Sequence, residues 1–402
     1  MEPPSVTPSR ARPWHRISRG DLLFGLAVLV VYLVAAWIGV HWRHADPDRL
    51  MLVAERAVTG HLDAAALQGT TDSVAFNGRY YLAVGPLQLL PYLPFAFLHV
   101  LLGLSRYVIE LVVAVPAAWL ALPLARAYGA RGTTAYWVAA FTAFGTLLFY
   151  IAVFGDFYYL AHAESFLALT VFLLEWAGRR RPVVLGVAMA FSFLARPTTI
   201  LAAAPFGLAL LWRRRDAVLA AVAFALPIAV AIAIYGWFNW VRFGSPAEAG
   251  YALSYLPQPG IEPRRELGLF SILQIPENLR LALLALPDRL GHFPYLTANP
   301  YGLSMLVVSP ALLTSLWAGF REPAARLLWI AAELVAIPVF LYYGGGFVQY
   351  GFRYSLDFTP FLVALVAMGS SRWMGRPERA LVLFSIASVS YGVLWHAITW
   401  LR

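Results

Sequence analysis

The chain contains no cysteine and no lysine. The first absence removes disulfides, thiolate metal sites and thiol catalysis together. The second leaves arginine alone to carry the positive side of a formal net charge of +9, which reads as coding bias rather than chemistry. Charge of either sign is scarce. It accounts for 13% of residues, against 60% hydrophobic and 15% aromatic, far more apolar surface than a soluble core of 402 residues would take up. Such a composition belongs to a polytopic membrane protein, all-α in class. The arginines collect at segment ends, so they report topology, and no basic groove with interleaved aromatics points to nucleic acid.

The longest polar interval, 41–86, follows the first apolar run and gathers Asp46, Asp48, Glu55, Asp63 and Asp72. Before that run, residues 1–20 form a proline-rich tail in which Arg10, Arg12, Arg16 and Arg19 favour the cytoplasm. The run Leu22–Val40 is too long for a signal-peptide core and reads as a retained anchor. The acidic loop is therefore expected outside. Within it, Leu50, Met51, Val53, Ala54, Ala57 and Val58 recur at helical spacing, which predicts an amphipathic helix at the membrane surface ending at Gly60. Asp46 and Asp48 flank Pro47 at its start and are capping candidates; a carboxylate there can also face a cavity.

Beyond the loop, apolar segments alternate with clusters of arginine, and residues 21–402 read as a single transmembrane domain. Twelve segments, 302–320 among them, suggest about eleven crossings at the usual span length. The stretch 86–104, with Pro86, Pro91 and Pro94, is expected to re-enter or lie in the interface. Placing the arginine clusters inside sends the loops 240–301 and 344–357 outside with 41–86. No internal repeat is visible.

Polar residues in or beside the spans are candidates for function, because charge in a bilayer is costly and usually faces a cavity. Asp156, His162 and Glu164 cluster near one turn, in a spacing that is no recognised metal signature. Arg196 precedes Pro197 at the tip of a short helical pair, where a snorkelling side chain is the plain alternative. Arg242, Glu248, Arg264, Arg265 and Glu266 occupy the loop 240–301. Arg353 and Asp357 stand four apart, as an ordinary helix-end ion pair would, after a Gly344–Gly346 run that admits close approach of a ligand.

Four stretches, taken in order, resemble the GT-C superfamily of integral-membrane glycosyltransferases, which includes protein mannosyltransferases and bacterial aminoarabinose and arabinosyl transferases. They are the acidic first loop, NGRYYLAVGPLQLLPYLPF, NWVRFGSPAEAGY and YGFRYSLDFTPF, and LARPT is in keeping with bacterial members. The resemblance implies an inverting transferase that draws sugar from a polyprenyl-phosphate donor at the extracytoplasmic face of the bacterial inner membrane. It makes Asp46, with Asp48 close behind, the base that takes the acceptor's hydroxyl proton. Arg353, Arg79 or Arg196 would meet the donor phosphate, Arg353 first. Tyr80, Tyr81, Asp156, His162, Glu164, Arg242, Tyr354 and Asp357 complete the expected substrate-binding set. Tyr80 and Tyr81 also suit an interfacial aromatic belt. The acceptor is left as a glycan, lipid or protein, and whether a divalent cation takes part is left open.

The chain departs from that pattern at Val84-Gly85-Pro86, where aminoarabinose transferases carry a basic residue before two prolines. The second loop lacks an acidic pair, and no sizeable soluble domain is expected after the last span, so a long peptide acceptor is not expected. Two other classes compete. A transporter or flippase for a lipid-linked or glycan substrate would place charge near mid-span and show repeat symmetry. A non-catalytic envelope-assembly scaffold would have no use for an acidic loop facing an arginine segment.

Overall fold

The computed structural model describes residues 17–41, 48–70, 73–102, 109–154, 157–212, 216–253, 262–347, 349–371 and 374–399. It is helical almost throughout. Helix α1 (Arg19–His41) buries the stripe Val28, Tyr32 and Ala36, spaced four apart, and leaves Leu22, Leu23, Leu26, Val30 and Val34 exposed on its outer side. Tyr32 fixes the rotation of α1 by donating to the Ala143 carbonyl at 2.6 Å. At its foot Asp21 accepts both Arg126 Nη atoms, at 2.9 and 2.7 Å, and the Tyr136 hydroxyl at 2.6 Å.

The first loop builds the expected amphipathic helix. In α2 (Arg49–Ala57) the buried residues are Leu50, Met51, Val53 and Ala54. Asp48 is the N-cap, its Oδ1 accepting from the Leu50 and Met51 amides at 3.1 and 3.3 Å. Strands β1 (Ser73–Phe76) and β2 (Arg79–Leu82) follow as an antiparallel hairpin with Val74 opposite Tyr81. Asn77 and Gly78 turn it at positive φ, 48° and 74°, as a two-residue hairpin loop requires.

Helix α3 (Leu89–Leu102) packs on α2. At 14 residues it is about 21 Å long, short of the roughly 30 Å hydrocarbon core. Then come α4 (Ile109–Trp119), α5 (Ala121–Ala127), α6 (Gly132–Phe144), α7 (Leu147–Phe154), α8 (Phe157–Ala177), α9 (Pro182–Ala195), α10 (Ala203–Leu211) and α11 (Ala217–Phe243). The back half holds α12 (Glu262–Arg265), α13 (Ile275–Leu283), a short hairpin of β3 (Asp288–Arg289) and β4 (Leu296–Thr297), α14 (Met305–Val308), α15 (Pro323–Leu341), α16 (Thr359–Gly369) and α17 (Arg376–Thr399). Among the described residues, six helical stretches can cross a membrane by length and composition, and seven if α6 and α7, bent by 42°, count as one span. The apolar stretch expected as a crossing at 302–320 is instead α14 followed by the 3-10 turn Pro310–Ala318.

The helices form an inner set and a lipid-facing set. In α16 every residue from Thr359 to Ala367 is buried, and in the α8 span 78% of residues are, against 17% in α1 and 22% in α11. Contact between α9 and α11 depends on Gly186, where a Cβ would collide with the Phe224 carbonyl. Ser165 and Ser192 bond across α8 and α9 at 3.1 Å, and Ser192 continues to Thr199 at 2.8 Å. This inner packing brings the end of α9, the start of α8 and the turn before α16 together.

Candidate active site

Pro197 stops α9. The residue before a proline is pushed out of the helical region, and Arg196 is extended, with φ −138° and ψ 95°. Its side chain runs inward and is 18% exposed, so it does not snorkel. Arg196 Nε donates to both Asp357 oxygens at 3.0 Å, and Nη2 donates to Oδ2 at 2.8 Å. Thr198 Oγ1 donates to the same Oδ2 at 3.2 Å, and His162 Nδ1 lies 2.9 Å from Oδ1. An ionised carboxylate only accepts, so this network assigns the His162 proton to Nδ1. Burial alone would raise the wholly buried Asp357 carboxyl, but the Arg196 guanidinium and the His162 ring hold it well below the usual carboxylate range.

The ordinary helix-end pair that the spacing of Arg353 and Asp357 allows does not form among the described residues. Both lie in the 3-10 turn Arg353–Asp357, where three residues complete a turn and side chains four apart diverge. Arg353 Nη1 donates instead to Gln349 Oε1 at 2.8 Å, and Gln349 Nε2 donates to the Tyr301 and Gly345 carbonyls at 2.7 and 3.0 Å. The glycine run does admit a close approach, but by protein. A Cβ at Gly345 would meet Arg264 Nη1, and one at Gly346, whose φ is +85°, would overlap the Gln349 amide.

Three guanidiniums alternate with two tyrosine rings in a ladder across the site. Arg49 lies 5.8 Å from the Tyr158 ring, which is 5.8 Å from Arg353; Arg353 is 5.0 Å from Tyr354, and Tyr354 is 5.2 Å from Arg196. Each step is within cation–π range, so the rings space like charges while favouring each of them. The His162 ring meets Tyr354 edge-on at 5.5 Å. Arg49 immediately follows the cap Asp48, so the ladder runs from the first loop to the buried Arg196–Asp357 pair.

Other expected residues fall elsewhere. Asp46 and Asp156 lie outside the described residues. Arg79 is exposed on β2 with Nη1 3.7 Å from Asp63 Oδ1. Tyr80 is half-buried beside it, and Tyr81 packs on Phe243 at 5.3 Å. Arg242 donates to the Leu82 carbonyl at 2.7 Å and to Asn239 Oδ1 at 2.9 Å, with its guanidinium 3.9 Å from the Phe238 ring. These contacts pin the hairpin to the end of α11. Glu164 is buried on α8, and its Oε2 has no hydrogen-bond partner among the described residues. No group of three or more His, Asp or Glu among them is placed to hold a metal ion.

Arg49, Thr198 and Gln349 are missed from sequence, while Tyr158 is visible there only as one of several outer-face aromatics that suit sugar stacking or an interfacial belt. Arg49 had one signal, its place beside a capping carboxylate; the others depend on helices meeting in space. An open groove of about 420 Å³ lies alongside, lined by Phe193, Tyr235, Gly236, Trp237 and Pro246 among others, with Phe193 one turn before Arg196. Inward-turned guanidiniums, a nearby apolar groove and a carboxylate-capped loop together can hold an anionic amphiphile and take up a proton.

No family model and no curated protein matches the chain. Among solved structures it is similar to the crystal structure of ArnT from Cupriavidus metallidurans bound to undecaprenyl phosphate, with a TM-score of 0.53 and 15% identity. The likeness covers 93% of this chain, which spans 64% of the length of that one. At that identity it is a likeness of fold. The chain is a multi-pass membrane protein with a GT-C-like helical fold.

Proposed function

We propose that the protein is a membrane glycosyltransferase that moves a sugar from a polyprenyl-phosphate donor to an acceptor hydroxyl. The observation that carries this reading is the arginine–tyrosine ladder, which links the carboxylate-bearing first loop to two inward-turned guanidiniums at the buried end. The fold shared with ArnT, a protein crystallised with undecaprenyl phosphate, supports the donor class.

In this reading the phosphodiester of the donor sits against Arg353 and Arg196. Arg196 is the better prepared, because Asp357 holds its Nε and Nη2 and leaves its remaining edge directed at the ligand. The first isoprenoid units lie in the groove at Phe193, Tyr235 and Pro246. Asp46 accepts the proton of the acceptor hydroxyl as its oxygen forms a bond to the anomeric carbon from the face opposite the phosphate. The bond from that carbon to the phosphate oxygen breaks, and the lipid phosphate leaves with the electron pair. The guanidiniums stabilise the charge it gains, and the sugar inverts. The site faces the extracytoplasmic side of the inner membrane, with the amino terminus in the cytoplasm.

The test is binding of the purified protein in lipid nanodiscs to polyprenyl monophosphate and to polyprenyl-phosphate sugars. Saturable binding is expected, and Arg353→Ala should weaken it by about ten- to a hundredfold, the loss of one charge-assisted contact. An uncharged acceptor should bind the variant as it binds the parent. Unchanged donor affinity would leave Arg353 a packing partner of the tyrosines. Absence of binding to any of these lipids would remove the transferase reading and bring transport assays forward.

A further inference from the structure

The segment between α11 and α14 carries an apolar surface that the described residues do not cover. Ile272, Leu273, Leu284 and Leu286 are between 65% and 73% exposed, and Phe293 and Tyr295 are more than half exposed. Isolated exposed leucines are ordinary, but residues this open, recurring along one connecting segment, mark a surface that meets something.

Three attachments fix the level at which these side chains sit. The Ser271 amide donates to the Leu341 carbonyl at 2.9 Å, and Asn278 Nδ2 donates to the Phe340 and Tyr342 carbonyls at 2.8 Å, which ties Ile272 and Leu273 to the last turn of the α15 span. The Ser304 amide, at the cap of α14, donates to the Ala285 carbonyl at 2.9 Å and holds Leu284 and Leu286 beside the start of that helix. Tyr391 donates to the Leu296 carbonyl at 2.7 Å and Trp395 Nε1 to Thr297 Oγ1 at 2.8 Å, which seats the β3–β4 hairpin on the end of the α17 span. Two of the three attachments, at α15 and α17, are at the end of a membrane span, where hydrocarbon gives way to headgroups.

We infer that residues 267–296 form an interfacial strap whose partner is the lipid of the leaflet at this end of the bundle. Ile272, Leu273, Leu284 and Leu286 enter the acyl boundary, and Phe293 and Tyr295 lie at headgroup level. Lipid is favoured over a protein partner by the tethers at the ends of the α15 and α17 spans and by the exposed apolar side chains of those same spans, Ile337 and Leu394 among them. In α13 the buried residues are Asn278, Leu281 and Ala282, while the exposed Glu277–Arg280 pair, at 2.7 Å, marks its wet side.

The strap also backs the candidate site. Arg264 Nη2 and Nε donate to Asn278 Oδ1 and Gln274 Oε1 at 2.6 and 3.2 Å, while its Nη1 presses on Gly345. The Gly345 carbonyl accepts from Gln349, the residue that holds Arg353. Seating the strap in lipid therefore steadies the segment on which Arg353 leans. The inference does not depend on the transferase reading.

Because the chain has no cysteine, Ile272→Cys and Leu286→Cys can each be labelled singly with a bimane fluorophore in nanodiscs. The expected result is blue-shifted emission at both positions, with greater loss of intensity to a nitroxide carried near the lipid headgroup than to aqueous iodide. Stronger quenching by iodide would overturn the proposal by placing the strap in water. Protection from both quenchers would overturn it in favour of a protein cover.

Discussion

Replacing Asp357 by alanine is expected to destabilise the protein by about 3–5 kcal/mol, the usual consequence of removing one member of a buried ion pair. The carboxylate is fully buried and accepts from Arg196, Thr198 and His162, so its loss strands a guanidinium in the protein interior and leaves two further donors unmatched. Thermal unfolding in detergent or nanodiscs measures this directly. The double replacement Asp357→Leu with Arg196→Met should recover much of the stability, because a buried pair can be exchanged for apolar residues at little cost. Donor binding should not recover with it if Arg196 meets the phosphate. A double variant that binds donor like the parent would make the pair purely structural. The pH dependence has a definite sign. The folded-state carboxyl lies below its ordinary value, so its contribution is complete above about pH 4 and is lost only as pH falls through the depressed value.

This pair shows where sequence reasoning stops. Arg353 and Asp357 stand four apart, and on an α-helix that spacing makes a pair. The intervening backbone is 3-10, which separates them, and Asp357 finds its partner 161 positions earlier in the chain. No local pattern predicts that meeting. Arg196 itself was legible as an oddity, since a charged residue before proline at a helix tip has few ordinary roles, but its inward direction depended on α8 and α16 being close. The glycine run was legible as a place of close approach, while the identity of the approaching groups, Arg264 and Gln349, required the packed loops.

Features governed by short-range periodicity came through. Apolar spacing and a capping Asp located α2, and membrane character followed from composition. The hairpin at Asn77-Gly78 has a signal in the same class, an Asn-Gly pair between residues with strand preference, although the polar character of 41–86 reads as loop. In 302–320 hydropathy alone suggested a crossing, but Pro310 lacks the amide an α-helix would need there, and the segment turns as 3-10 after four helical residues. The ladder was least legible of all. Its members come from α2, α8, the end of α9 and the turn before α16, and the family resemblance points only to Arg353, Tyr354 and Arg196 among them.

The second large effect is expected at the first loop, where Asp46→Asn should lower transfer by about a hundred- to ten-thousandfold while donor binding stays near that of the parent. An asparagine keeps the size and an oxygen but cannot hold the acceptor's proton. Asp48 supplies the contrast. Its Oδ1 caps α2 through two amides, and asparagine caps a helix about as well as aspartate, so Asp48→Asn should preserve both fold and transfer. Asp48→Ala removes the cap and should cost about 0.5–2 kcal/mol, with any loss of transfer following the loss of folded protein. Steady-state transfer and donor affinity measured on all three variants separate the roles. If Asp48→Asn abolishes transfer and Asp46→Asn does not, the base is Asp48, beside Arg49 at the end of the ladder. If neither asparagine lowers the rate, the proton leaves by a group outside this loop and the resemblance in its acidic residues carries no chemistry.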